Sequence, residues 1–264
     1  MYPILWTIGP LHFYSYGLCL AVALGLSIYL FAGDAGKNIS PKVGLTHAQG
    51  FQKAFDLGTW VIVCSILGAR IFYVAENRAE FENGHWIDSV KIWQGGLVFY
   101  GGLFGAIGAA FAWFRIEKWP LAFSFDLVAP YILLGHAIGR IGCFLNGCCY
   151  GIVDQTHGLV FPGAPDALPH LPTQLWELTG DLVLFVVLIW VRRWTLTYPW
   201  LSLSLYGATY GLLRYTVEFW RRDWNKQYLF IFNSASQAVS GVIVIFSLAV
   251  ILLIAFDRRK PRKS

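Results

Sequence analysis

Charge is what this chain has least of. Only 13% of its 264 residues are Asp, Glu, Lys or Arg, against 56% apolar. A soluble domain carries about 25% charged residues, so a water-soluble globular protein is excluded as the first reading. Alternating strand-like segments of about ten residues are missing too, which excludes a closed membrane barrel. Low-complexity tracts and internal repeats are absent, and so are the paired, broken helices that mark many transporters. The five cysteines, Cys19, Cys64, Cys143, Cys148 and Cys149, contain no C-x2-C pair, so neither a zinc site nor any other metal is expected. No basic residue precedes the first apolar run and no small-residue cleavage pattern follows it, so a cleavable signal is not expected.

What is present is a series of long apolar runs. Seven occur, at 14–31, 55–75, 95–114, 121–139, 174–191, 199–219 and 234–256. Each matches the roughly 17–25 residues that cross a bilayer core as helix. The expectation is an all-α integral membrane protein with seven transmembrane helices. It forms one domain over 1–264, with short outer loops at 76–94, 141–172 and 220–233. Twelve basic residues fall on one side: Lys37, Lys42, Lys53, Arg115, Lys118, Arg192, Arg193, Arg258, Arg259, Lys260, Arg262 and Lys263. The other side holds five, namely Arg78, Lys91, Arg221, Arg222 and Lys226. Basic loops stay cytoplasmic, which puts the N-terminus outside and the C-terminus in the cytoplasm. The net charge of +5 then reads as topology and affinity for anionic lipid, with no nucleic-acid partner.

With that topology, Tyr16, Arg70, Tyr100, His136, Arg140, Gln174, Glu177, Tyr210, Arg214 and Glu218 all fall toward the outer leaflet. They come from six of the runs. The densest stretch is HAIGRIGCFLNGCCYG, residues 136–151, with His136, Arg140, Asn146 and three cysteines. An ionisable group at membrane depth is costly and usually marks a function. Arginine suits phosphate, because its planar fork donates parallel hydrogen bonds and keeps its charge. Glu177 and Glu218 would be counter-ions while such a site is empty. The structural alternative is that Arg140 and Arg214 simply form ion pairs with these carboxylates.

The other residues carry plainer alternatives. Tyr14 and Tyr16 suit interfacial anchoring, Arg70 suits snorkelling, and His136 suits a satisfied buried imidazole. Glycines 95, 96, 101, 102, 105 and 108 read as one close-packing face of the third run, with Tyr100 among them. Cys143 with Cys148 or Cys149 suits a disulfide pinning the outer loop, or else the thiols are free.

GRIGCFLNGCCYG resembles the signature G-R-x-G-N-F-x-N-G-E of the phosphatidylglycerol–prolipoprotein diacylglyceryl transferase family. SYGL at 15–18, GARIFYV at 68–74, WQGGLVFYGG at 93–102, LPTQLWE at 171–177 and YGLLRYTVEFWR at 210–221 resemble further pieces of it, in order. The resemblance implies a multi-pass enzyme of the bacterial plasma (inner) membrane. It moves a diacylglyceryl group from phosphatidylglycerol to the lipobox cysteine of prolipoprotein signal peptides, with no cofactor. It places Arg140 and Arg214 on the phosphate, with Arg70 and Asn146 in the lipid site. Glu218 orients Arg214, and Tyr16 and Tyr210 belong to the catalytic set. Two departures stand out. Tyr100 occupies the place of a histidine proposed as base in the family, and Cys143 and Cys148 replace the first Asn and the Glu of the signature. Tyrosine is a weak base at neutral pH, so either Tyr100 beside an arginine or His136 takes the proton of the incoming thiol.

Three rival readings are a lipid translocator, a membrane thiol redox protein, and a phospholipid-binding family member with a changed acceptor. A translocator would want polar groups through the full membrane depth, and the inner halves of the runs are nearly bare of charge. A redox protein would want a reactive cysteine pair, which the adjacent Cys148 and Cys149 suit poorly.

Overall fold

The computed structural model of the chain describes residues 1–9, 11–82, 86–221, 232 and 234–258. Most of the expected loop 220–233 lies outside the described residues. So do Arg222, Lys226, Arg259, Lys260, Arg262 and Lys263 of the charge count.

In lipid every backbone polar group must be satisfied within its own segment, and the apolar runs fold as helices. A hairpin of β1 (Ile4–Ile8) and β2 (Leu11–Tyr14) comes first. Then follow α1 (Ser15–Asn38), α2 (Ser40–Val43), α3 (His47–Glu76), α4 (Arg78–Glu82), α5 (Phe99–Ile116) and α6 (Leu121–Asn146). A two-residue pair, β3 (Leu159–Val160) with β4 (Pro169–His170), precedes α7 (Thr173–Thr195), α8 (Leu201–Val217) and α9 (Ala235–Arg258). Six of these helices, α1, α3, α5, α6, α7 and α9, are long and apolar enough to cross a membrane. The chain is a multi-pass membrane protein. The remaining long helix, α8, has 17 residues and carries Ser202, Ser204, Thr209, Tyr210 and Arg214.

Several boundaries depart from expectation. Tyr14 ends β2 rather than opening a helix. The segment 76–94 is not a bare loop, since α4 and two 3-10 turns at Trp86–Val90 and Ile92–Gln94 occupy it. Gly95 and Gly96 have φ of +87° and +73° and precede α5, so they lie outside the glycine face. The helix α6 runs to Asn146, so the loop that follows it begins at 147 rather than 141. Hydropathy falls at Arg140, but the backbone there remains helical. The helix stops at Gly147, whose φ of +73° needs no Cβ accommodation. There the Cys148 N–H bonds the Cys143 carbonyl (3.1 Å) and the Gly147 N–H bonds that of Phe144 (3.2 Å), a Schellman ending.

The chain forms two compact units, Phe31–Ser124 and Met1–Leu30 with Phe125–Ser264. In the first, α3 opens on a capping box between Thr46 and Gln49. It lies against α5 at glycines: a Cβ on Gly68 would sit 2.3 Å from the Gly101 carbonyl oxygen, and one on Gly105 would sit 2.2 Å from that of Cys64. Backbones this close admit only glycine. Gly108 has nothing within 4 Å of its would-be Cβ, so the packed face is shorter than the sequence suggests. Lys53 and Glu117 form an ion pair at the far end of these helices.

In the second unit, α7 meets α8 at Gly180, and α8 meets α9 at Gly207 and Gly211. The buried Asp126 on α6 caps α8 from a neighbouring helix. Its two oxygens accept from the Trp200 N–H (2.7 Å) and the Leu203 N–H (2.8 Å), which a helix start otherwise leaves unpaired. Asp126→Ala should therefore destabilise the protein by about 3–6 kcal/mol, from two bonds to a charged acceptor at about 1.5–3 kcal/mol each. Thermal unfolding in detergent checks this, and an unchanged midpoint would rule the cap out as a stabilising feature. Beyond Gly147 the chain is held rather than loose. His170 is fully buried between the Gly151 carbonyl and Asp166, at 2.9 Å each. The Ile152 N–H bonds the Trp220 carbonyl at 2.8 Å. The Asp154 carboxylate accepts from the His157 and Thr156 N–H groups, which hold its carboxyl below the usual range.

Candidate active site

Tyr16, His136, Arg140, Asn146, Tyr210, Arg214 and Glu218 all belong to the unit formed by Met1–Leu30 and Phe125–Ser264. Four helix ends supply them: the start of α1, the last turns of α6 and α8, and, through Glu177, the start of α7. The α7–α8 connection is short, and the long segment between α6 and α7 folds back through β3 and β4, so the chain direction reverses at each step. This brings the C-terminal turns of α6 and α8 level with the N-terminal turns of α7.

Glu177 joins the two arginines. Arg140 Nε lies 2.8 Å from Glu177 Oε2, and Arg214 donates from one terminal nitrogen to Glu177 Oε1 at 3.0 Å. The other terminal nitrogen of Arg214 lies 2.8 Å from Glu218 Oε2. Glu218 is fixed in turn by the Ser234 hydroxyl, which donates to its Oε1 at 2.6 Å, and Arg221 approaches it at 4.0 Å. Both carboxylates are 2% exposed, while the arginine side chains keep 17% and 12%. The guanidinium groups thus converge on one acid and are the more open side of the network. A buried run of this kind persists because each charge has a partner.

Around it sit aromatic groups. The Tyr210 ring stacks on Tyr206 (5.5 Å) and lies 4.7 Å from the His136 ring. Tyr210 also lies among Arg140, Asp181, Glu177 and Arg214. His136 Nδ1 is buried with no hydrogen-bond partner among the described residues, so it is not the satisfied imidazole of the bland reading. Tyr16 is exposed and meets α6 at Gly142, where an added Cβ would lie 3.1 Å from its ring. Asn146 is within hydrogen-bond reach of the Cys148 sulfur. Cys143, Cys148 and Cys149 are free thiols.

The two remaining expected residues belong to the Phe31–Ser124 unit. Arg70 is not a snorkelling side chain. It is 8% exposed and donates to four carbonyls: Ser89 (2.7 Å), Asp88 (2.6 Å), Gly95 (2.8 Å) and Gly96 (3.0 Å). Its donors organise the 88–96 segment, which leaves little for an anion. Tyr100 is exposed, with its ring against Phe99, while Gly101 and Gly102 beside it face α3.

Two acids on α7 were not placed in the binding set. Glu177 entered the sequence reading only as a counter-ion, yet it is the centre of the network. Asp181, one turn further along α7, is 1% exposed and neither of its oxygens has a hydrogen-bond partner among the described residues. The i, i+4 spacing of the two acids was the available signal.

Known proteins resemble this chain in sequence. The family described as "Prolipoprotein diacylglyceryl transferase" matches residues 3–253. A phosphatidylglycerol–prolipoprotein diacylglyceryl transferase of Paracidovorax citrulli is 34% identical over 195 residues, covering 72% of this chain and 71% of that protein. Proteins of the same name from Pseudoalteromonas atlantica and Oceanobacillus iheyensis are 35% and 31% identical over 190 and 201 residues. The matches cover 72% and 71% of this chain but 64% and 66% of those two relatives, slightly under two thirds of their length. With its signature arginines gathered on one buried acid and nearly its whole length matched, the chain belongs to the prolipoprotein diacylglyceryl transferase family.

Proposed function

We propose that this chain carries out the reaction for which its family is named. It moves the diacylglyceryl group of phosphatidylglycerol to the thiol of the lipobox cysteine in a prolipoprotein signal peptide. The products are a thioether and glycerol phosphate, and the setting is the bacterial inner membrane. The observation that carries the reading is the sharing of Glu177 by Arg140 and Arg214. A carboxylate bridging two guanidiniums holds the place of a phosphate monoanion of the same charge. In this reading the lipid phosphate takes over the donors of Arg140 and Arg214, while Glu218, held by Ser234, keeps Arg214 aimed.

The chemistry then follows from charge. The sulfur attacks a glycerol carbon, its C–O bond breaks, and the electron pair leaves on the phosphate ester. Fixed guanidiniums in a site shielded from water stabilise that growing charge. The unit also brings lipid and peptide together, which lowers the entropic cost of meeting. In this reading the chain is one domain over 1–264 that crosses the membrane seven times, counting α8, with its N-terminus outside, so that the site faces the exported side, where prolipoproteins arrive.

His136 accepts the thiol proton, an assignment supported by its partnerless Nδ1 beside Tyr210. Transfer from phosphatidylglycerol to a lipobox peptide, followed for His136→Gln and Tyr100→Phe, tests this. The first variant should lose about 10²-fold or more, the scale of a general base, and the second much less. Full rate in His136→Gln would remove the histidine from the mechanism.

A further inference from the structure

The stretch that departs most from the family signature, Cys143 with Cys148 and Cys149, is not used in the transfer step proposed above. Its linear spacing is unlike that of zinc proteins, yet the fold draws it together. Cys143 sits in the last turn of α6, Gly147 reverses the chain, and Cys149 adopts a left-handed φ of +64°. The three sulfurs then lie within 4.8 Å of one another. This placement is braced from α7. Gln174 Nε2 donates to the Cys148 carbonyl at 2.6 Å, and the Thr173 hydroxyl donates to that of Cys149 at 3.0 Å. Cys143 is buried and the other two are half-buried.

We propose that Cys143, Cys148 and Cys149 form a binding site for one soft univalent metal ion of the copper(I) class. Three thiolates around a metal at about 2.3 Å set their sulfurs about 4 Å apart in a trigonal plane, and the observed spread needs only small side-chain rotations to reach it. Among the described residues no His, Asp or Glu joins the group. A structural zinc ion is normally held by four protein ligands, whereas an all-sulfur set favours copper(I). Binding releases the three thiol protons. One univalent ion on three thiolates leaves two negative charges, and Arg140, one turn back along α6, lies close enough to compensate them. A loaded site would therefore compete with lipid phosphate for Arg140, so copper(I) should inhibit transfer. That consequence rests on the proposed function; the binding itself does not.

The test uses the purified full chain in detergent, kept anaerobic with a phosphine reductant. Copper(I) is titrated against a chromophoric copper(I) chelator. The expected result is one ion retained per chain, lost in Cys143→Ser, Cys148→Ser and Cys149→Ser and kept in Cys19→Ser and Cys64→Ser. X-ray absorption of the wild-type protein, which depends on no variant, should show sulfur neighbours alone at about 2.3 Å. Failure to hold copper against the chelator would overturn the proposal. So would equal binding by the triple serine variant, nitrogen or oxygen neighbours, or preferential retention of zinc. Should copper bind as expected while transfer is absent with and without it, the metal site stands and the function falls.

Discussion

Arg140→Gln and Arg214→Gln should each lower diacylglyceryl transfer by about 10²–10³-fold, the cost of removing one preorganised donor from a developing oxyanion. The two should not multiply in the double variant, because groups that act as a unit are strongly non-additive. Lysine should rescue neither position. Arg140 and Arg214 both reach Glu177, and Arg214 spreads its two terminal nitrogens over Glu177 and Glu218. A single ammonium offers one point of charge where the site uses a fork. Labelled phosphatidylglycerol with a lipobox peptide provides the measurement. If either glutamine variant keeps full rate, its guanidinium does not bind the leaving phosphate and the proposed mechanism fails.

Glu177→Ala should be among the most destabilising single changes in the molecule, at about 3–5 kcal/mol. It breaks a buried ion network and leaves two guanidiniums facing each other without their shared acid. Glu218 still pairs with Arg214, so the damage should concentrate on Arg140. Added anionic lipid should recover part of the lost thermal midpoint, since a ligand that binds only the folded state stabilises it by mass action. Arg140→Gln in the same background should recover part of it too, by removing the stranded charge. A Glu177→Ala protein that melts at the wild-type midpoint, with or without lipid, would show that the acid does not hold the arginines together. Glu177→Gln separates size from charge: it keeps the volume and loses the counter-ion.

Much of this molecule was legible before any coordinates. The membrane class followed from scarce charge and long apolar runs, because hydrocarbon admits only segments that satisfy their own backbone. The signature arginines were legible because a permanent cation at membrane depth needs a reason. Helix ends were less so. The apolar run before Arg140 ends at 139, because hydropathy measures transfer to lipid and not backbone geometry. The Schellman turn at Gly147 sets the true end of α6, and with it the positions of Cys143 and Asn146.

Partner choice was not written in the linear chain. Arg70 looked like a third lipid ligand on charge and depth, but four nearby carbonyls take its donors. Glu177 reads in the sequence as one of two counter-ions, and its contacts to Arg140 on α6 and Arg214 on α8 make it the common one. Asp126 is a buried acid whose partners, the Trp200 and Leu203 N–H groups at the start of α8, lie more than seventy positions away. Composition and hydropathy thus determined by themselves that the chain enters a membrane as helices and which charges are too costly to be incidental. Which charge meets which was decided only in three dimensions. A pairing energy depends on distances of a few ångströms between residues tens of positions apart, and those distances exist only once the helices have packed.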